Sequence, residues 1–238
     1  MAELRLIAEA SQDPLWLNSF NNGEDLHAVL CSKLFKIPIT DVKKPFPLKP
    51  DITYRDVIKT INFGLAYGMS EYKLSNTIKV TKEEALKIIN EYFEVVPLVE
   101  QYLKNSGNFA KKYGVSYTIG PIKRPRYFDM EILKSLTDSE KKIRLGSYER
   151  QGKNSAIQGA NSDWIKLSII YLYNFIQEKK YPAKLVLTVH DELVSSVRED
   201  LAEEWLNIQE EQMIKAGRFF IKSIPIVVES KIGDYWQK

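Results

Sequence analysis

With 238 residues, 44% hydrophobic and 27% charged, the chain is long enough for one large domain or two modest ones and is ordinarily globular in composition. A formal net charge of +3 decides nothing about polyanion binding, which needs local clusters of Lys and Arg. A lone cysteine, Cys31, excludes an internal disulfide framework and any Cys-rich metal site, and no run approaches the roughly 18 apolar residues of a membrane span. The expectation is a soluble chain in a reducing interior, cytosol or organelle matrix, with no membrane partner. The acidic residues of MAELRLIAEASQDP stand where a signal or transit peptide would be basic.

In chain order, ELRLIAEAS (3–11) reads as helix, followed by the turn-rich SQDP and NNGED and a second helical stretch, DLHAVLCSKLF (25–35). PITDVKKPFPLKPD (38–51) has four prolines in fourteen residues, which predicts a loop. From Tyr54 to about Tyr113 the pattern predicts helix after helix: RDVIKTINFGLAYG (55–68), then TKEEALKIINEYFEVV with Thr81 and Glu84 as a capping box, then LVEQYLKNSGNFAKKYG. YGVSYTIGPIKRPRYF (113–128) reads as two extended segments joined by a turn, with Lys123, Arg124 and Arg126 beside Tyr127. A long amphipathic helix is predicted over Ser155 to Lys179. After it KLVLTVHDELVSSV reads as strand, tight turn, strand, followed by a helix near Leu201 to Ala216 and a short strand in IPIVVESKI. The predicted class is α+β: helices in the first half, and helices packed on a small antiparallel sheet in the second.

Three constellations could carry chemistry. On a helix turning about 100° per residue, Arg55, Lys59, Phe63 and Tyr67 share one face, and Val57, Ile58, Ile61 and Leu65 lie nearly opposite. A solvated charged face accounts for the cations, but it explains the two rings poorly; cations for phosphates and rings for a base and sugar use all four positions. In LTVHDEL, His190, Asp191 and Glu192 fall at the apex of the predicted hairpin. They read either as an ordinary acidic turn or as oxygen ligands for a hard cation, and two-metal phosphoryl chemistry needs at least two carboxylates. Arg150, Asn154 and Gln158, again four apart, fall in what reads as the N-terminal part of a helix. They are either a polar helix start or donors to the minor-groove acceptors that every base pair shows.

Together and in this order these stretches resemble the family A DNA polymerases, the class that includes bacterial DNA polymerase I. ELRLIA is similar to the tail of that family's first palm motif, DLH (25–27) to its first fingers segment, and RDVIKTINFGLAYG to its fingers helix. RQGKNSAIQG is similar to its template-primer helix, VHDE to its third motif and GDYW to its terminal segment. The resemblance implies a partial right-hand polymerase fold: the start of the palm over 1–22, fingers over 23–113 and palm over 114–238. It implies transfer of deoxynucleotides from dNTP to a primer 3′ end on primer-template DNA, with two Mg2+ ions and with Asp191, Glu192 and Lys59 as the catalytic set. Arg55, Lys59 and His27 would meet the triphosphate, Phe63 the sugar and base, and Tyr67 the templating pair. Glu3, paired with Tyr67, would exclude ribonucleotides. Asp191 would bind metal, with Glu192 beside it in a lesser role, and His190 would sit near the primer terminus. Arg150, Asn154 and Gln158 would follow the minor groove, and Arg124 and Arg126 would touch backbone phosphates.

By the family's pattern a further metal-binding Asp falls five positions ahead of Glu3, before Met1. The expectation is therefore a C-terminal fingers-and-palm portion that is inactive alone. Its second carboxylate, thumb and first palm strands would come from a missing N-terminal portion of the same polymerase. The setting implied is the cytoplasm and nucleoid, or else an organelle matrix or virus-infected cell. Two other classes stand beside this one. A noncatalytic nucleic-acid- or nucleotide-binding module is supported by the missing aspartate. A single-subunit RNA polymerase relative is opposed by Glu3 and Phe63, which would crowd a ribose.

Overall fold

The computed structural model of the chain describes residues 2–236. Side-chain caps set where most of its helices start. α1 (Ala2–Ser11) gives way at Asp13, whose carboxylate accepts the Leu15 N–H at 3.1 Å and starts α2 (Pro14–Asn21) with proline in its first turn. The second oxygen of the same buried carboxylate accepts the Leu98 N–H at 3.2 Å. One acid thus also caps α7 (Pro97–Tyr113), whose own N-cap, Val96, has no side chain to offer. Asp25 caps α3 (Leu26–Phe35), Thr53 with Asp56 boxes α4 (Tyr54–Ala66), and Ser70 caps α5 (Glu71–Ile78). Thr81 with Glu84 boxes α6 (Lys82–Val95), as the sequence predicts.

Three antiparallel strand pairs accompany the helices: β1 (Pro45–Phe46) with β2 (Lys49–Thr53), β3 (Val115–Tyr117) with β4 (Pro125–Tyr127), and β5 (Ala183–Val189) with β6 (Glu192–Val197). Between the second and third pairs runs α8 (Asp138–Lys179), and α9 (Ala202–Phe220) follows β6. The main core gathers Leu4, Trp16, Leu30, Ile58, Ile61, Ile157 and Phe220 from α1, α2, α3, α4, α8 and α9. A second cluster of Ile165, Leu172, Leu193, Trp205 and Met213 lies under the β5–β6 hairpin. The α+β class therefore stands. No helix among the described residues is long and apolar enough to cross a membrane.

The structure departs from the sequence reading in four places. α2 occupies the stretch between the two turn-rich segments, because Asp-Pro acts there as N-cap and first helical residue rather than as a turn. The proline-rich 38–51 region holds β1–β2, pinned because Phe46 is buried against the rings of Phe35 and Tyr54 at 5.6 and 5.3 Å. α8 begins at Asp138 rather than Ser155, launched by a Thr137–Glu140 capping box ahead of a largely polar first third, so Arg150, Asn154 and Gln158 stand well inside it. IPIVVESKI forms no strand. Side chains of α1 and α2 take up backbone groups just past α9: Ser223 N–H donates to Glu9 at 2.9 Å, Arg5 donates to Pro225 O at 3.1 Å, and Asn21 donates to Ser223 O at 3.2 Å.

α7 and α8 cross where glycines let the helices approach. A Cβ at Gly152 would overlap the Cβ of Ala110, and one at Gly107 would overlap the side chains of Glu149 and Lys153. Gly146, in the same helix, faces open space with only the Arg150 guanidinium at 3.6 Å. Helix propensity favours alanine over glycine at both α8 sites by about 1 kcal/mol, but overpacking a tight contact costs roughly 1–3 kcal/mol. Gly146→Ala is therefore expected to raise the urea midpoint and Gly152→Ala to lower it. A rise with both would remove the tight crossing.

Candidate active site

The capping box at the start of α4, with Thr53 N–H donating to Asp56 at 3.0 Å and Asp56 N–H to Thr53 at 3.2 Å, sets the phase of that helix. Val57, Ile58, Ile61 and Leu65 turn into the core, while Lys59 is exposed and Arg55 and Phe63 are half-buried. Tyr67 lies one residue past the helix end, its N–H shared between Phe63 O and Gly64 O at 3.1 Å each. The line of four is real, with its last member on the C-cap.

These side chains open onto a cleft of about 1030 Å³. Its lining includes Glu3 of α1, His27 of α3 and Arg55, Lys59 and Phe63 of α4, together with Gln158 and Lys166 of α8 and His190 and Asp191 of the β5–β6 turn. Eight of the residues singled out in sequence thus share one cavity. Tyr67 joins them indirectly: its hydroxyl donates to Glu3 and also meets Gln158. Burial pushes the Tyr67 hydroxyl well above its ordinary pKa and the Glu3 carboxylate adds to it, so it stays a protonated donor.

Asp25, given no role by the sequence reading, organises the cation wall. One of its oxygens accepts the His27 N–H at 3.0 Å and the other accepts from Arg55 Nε at 2.7 Å. Burial works against the Asp25 charge, but the Arg55 guanidinium and the His27 N–H outweigh it and hold the carboxyl below its usual range. Burial likewise lowers the His27 ring to about 4, helped by Arg55 and Lys59 and opposed by Asp25. His27 is therefore neutral at physiological pH. Behind it Asn62, also missed, puts its amide nitrogen 2.7 Å from His27 Nδ1. Asp25 had a sequence signal, since it precedes a helical run, where an N-cap belongs; Asn62 falls at the border of the two faces of α4, seven residues after Arg55, and had none.

The remaining predicted site residues stand outside this cavity. Arg124 donates to the buried Asp163 at 3.0 Å and to Gly159 O at 3.1 Å, and Arg126 donates to Ser155 at 2.9 Å and Gln151 at 2.6 Å. Arg150 is exposed and lies over Gly68, and Asn154 carries a buried Oδ1 without a partner. Glu192 accepts from Trp236 Nε1 at 2.9 Å. Asp191 is exposed and has no hydrogen bond or ion pair among the described residues. Nor do three His, Cys, Asp or Glu side chains cluster there as a metal site. Asp191 fits one corner of a hard-cation site, a free carboxylate at the cleft wall, while Glu3 is engaged by Tyr67 and Glu192 by Trp236.

The chain matches the family model for DNA polymerase family A over residues 1–238. It is 33% identical over 237 residues to DNA polymerase I of Caldicellulosiruptor bescii, a match that covers 98% of this chain and 25% of that protein. DNA polymerase I of Borreliella burgdorferi is 32% identical over 234 residues, covering 98% and 24%, and the thermostable enzyme of Thermus thermophilus is 31% identical over 234, covering 98% and 26%. The chain spans about a quarter of the length of these curated relatives. Among solved structures it is similar to the POL domain of Pol1 from M. smegmatis in complex with DNA primer-template and dNTP. That match has a TM-score of 0.78 and 32% identity, and covers 94% of this chain and 36% of that one. A family model matched from the first residue to the last, on a frame shared with a polymerase domain, shows that the chain belongs to DNA polymerase family A.

Proposed function

We propose that these 238 residues are the C-terminal part of a template-directed DNA polymerase, comprising the start of the palm (1–22), the fingers (23–113) and the rest of the palm (114–238). The observation that carries the reading is the gathering, in the lining of one cleft, of Arg55, Lys59 and Phe63 with the free carboxylate of Asp191. A deoxynucleotide triphosphate matches this polarity: phosphates toward the cations, sugar and base against Phe63. The primer 3′ oxygen attacks the α-phosphorus and the bond to pyrophosphate breaks. Arg55 and Lys59 offset charge growing on the leaving group, Lys59 being the cation with no ion pair among the described residues. Tyr67 fixes Glu3 against the space beside the sugar.

Asp191 would hold magnesium, which when bound activates the 3′ oxygen and neutralises the pyrophosphate; a second carboxylate would come from polypeptide outside these residues. His190 would lie by the primer end and Glu192 would act in a lesser role, its carboxylate tied to Trp236. Arg150, Asn154 and Gln158 would follow the minor groove of the duplex and Arg124 and Arg126 its backbone. The presence of one free carboxylate also favours a second reading, a nucleotide-binding module without chemistry. Primer extension by the chain joined to an N-terminal palm and thumb separates the two.

Three outcomes are expected. The chain alone binds dNTP without extending a primed template, and Lys59→Ala weakens that binding tenfold or more, since a charge-assisted hydrogen bond is worth roughly 1.5–3 kcal/mol. An unchanged affinity in calorimetry would take Lys59 out of the cradle. In the complete polymerase Asp191→Asn abolishes extension while duplex binding, read by gel shift, holds; residual activity above a few per cent of the parent would end the metal role. Glu3→Ala in the same enzyme raises ribonucleotide incorporation by a large factor, because it vacates the space beside the sugar, and intact discrimination would show that the exclusion lies elsewhere.

A further inference from the structure

Asn62 is 2% exposed, at the border of the apolar and cationic faces of α4, and its Nδ2 lies 2.7 Å from Nδ1 of His27, which is also 2% exposed. An amide nitrogen donates and has no lone pair to give, so in this contact Nδ1 must be the acceptor. A neutral imidazole that accepts at Nδ1 carries its proton on Nε2. The ring is neutral here: burial, Arg55 and Lys59 from α4 outweigh Asp25 beneath it. The same residue lines the cleft together with Asp191.

The side-chain carbonyl oxygen of Asn62 is buried with no hydrogen-bond partner among the described residues. A buried, orphaned acceptor is unfavourable, and packing alone would be better served by a leucine of similar shape. Among the described residues the amide's one hydrogen-bond partner is the His27 ring. The opposite amide orientation would draw the proton to Nδ1 and turn an Nε2 lone pair on phosphate oxygens, acceptor against acceptor.

We propose that Asn62 is a positioning residue that holds His27 in its Nε2–H tautomer, so that the ring donates a hydrogen bond to a phosphate oxygen in the cleft without adding a charge. The phosphate half rests on the nucleotide reading above; the tautomer half does not. This division suits a wall already carrying Arg55 and Lys59, where a third cation would be repelled and a neutral donor is not.

The chain has two histidines, His27 and His190, so ring-15N correlation spectra of the histidine-labelled chain show two patterns, separated by H190Q. The expected His27 pattern is a protonated Nε2 and a bare Nδ1 at pH 7.5. Sodium triphosphate should shift the Nε2 resonance. In Asn62→Asp the carboxylate accepts from Nδ1–H, so the tautomer should invert and triphosphate affinity should fall roughly tenfold or more. In Asn62→Leu, which adds no charge, both tautomers should appear. A protonated Nδ1 in the parent chain, or an Nε2–H pattern unchanged in both variants, overturns the positioning role whatever triphosphate does. An Nε2–H ring that Asn62→Asp inverts but triphosphate leaves unmoved upholds that role and overturns the phosphate reading of the cleft. If the variants do not fold, the parent's own tautomer still decides, a bare Nδ1 being required.

Discussion

The packing of α8 is the constraint on which the rest of the molecule depends. Its 42 residues extend about 63 Å at 1.5 Å per residue, and they bury different faces in turn. Tyr148 packs with Phe128 and Ala110, Ile157 and Trp164 enter the main core, and Ile165 and Leu172 enter the cluster beneath the hairpin. The β3–β4 hairpin is fastened to carbonyls of the same helix, with Ser116 donating to Gly152 O at 2.8 Å, Ile119 N–H to Ala156 O at 3.1 Å and Arg124 to Gly159 O at 3.1 Å. Gln158, facing the cleft, is thus held between two anchored turns, and the close α7 contact at Gly152 sets the depth at which the helix lies.

The cleft's electrostatics follow from which charges are already engaged. Glu3 accepts from Tyr67, Asp25 from Arg55 and Glu192 from Trp236. Lys59, Lys166 and Asp191 line the cleft without a hydrogen bond or ion pair among the described residues. A polyanion that also binds a cation meets counter-charges of both signs there, and the low pKa of the His27 ring follows from the same arrangement, because Arg55 and Lys59 leave little room for another positive charge. Asp25 stabilises the wall twice, closing the first turn of α3 and holding the Arg55 guanidinium, so loss of its carboxylate would disturb both the helix start and the cradle.

Legibility in the sequence tracked the physical origin of each feature. The α4 face could be read because its period is local: apolar residues at 57, 58, 61 and 65 force 55, 59 and 63 outward whatever packs against them. The Thr81–Glu84 box and the β5–β6 hairpin were legible for the same reason. The first third of α8 was not, since its polar residues are helical by virtue of a cap and of packing on α7, a contact remote in sequence. The strand expected in IPIVVESKI failed for a converse reason: its apolar alternation has no partner strand among the described residues, and side chains of α1 and α2 claim backbone groups at Ser223, just ahead of it, and at Pro225, within it. Asp25 and Asn62 were missed because each acts on another helix, one through Arg55 and the other through His27.

At the hairpin apex adjacent carboxylates are given different surroundings by backbone geometry. Val189 pairs with Glu192, so the turn is the dipeptide His190–Asp191. His190 takes φ +54, the left-handed region that a non-glycine residue enters at a cost. That conformation reverses the chain within two residues, leaving Asp191 in the loop and returning Glu192 to the strand. From the loop Asp191 reaches the cleft wall, whereas from the strand Glu192 reaches Trp236. A longer loop would relax His190 and free the direction of Asp191. The strained two-residue turn therefore fixes the backbone from which the Asp191 carboxylate enters the cleft lining.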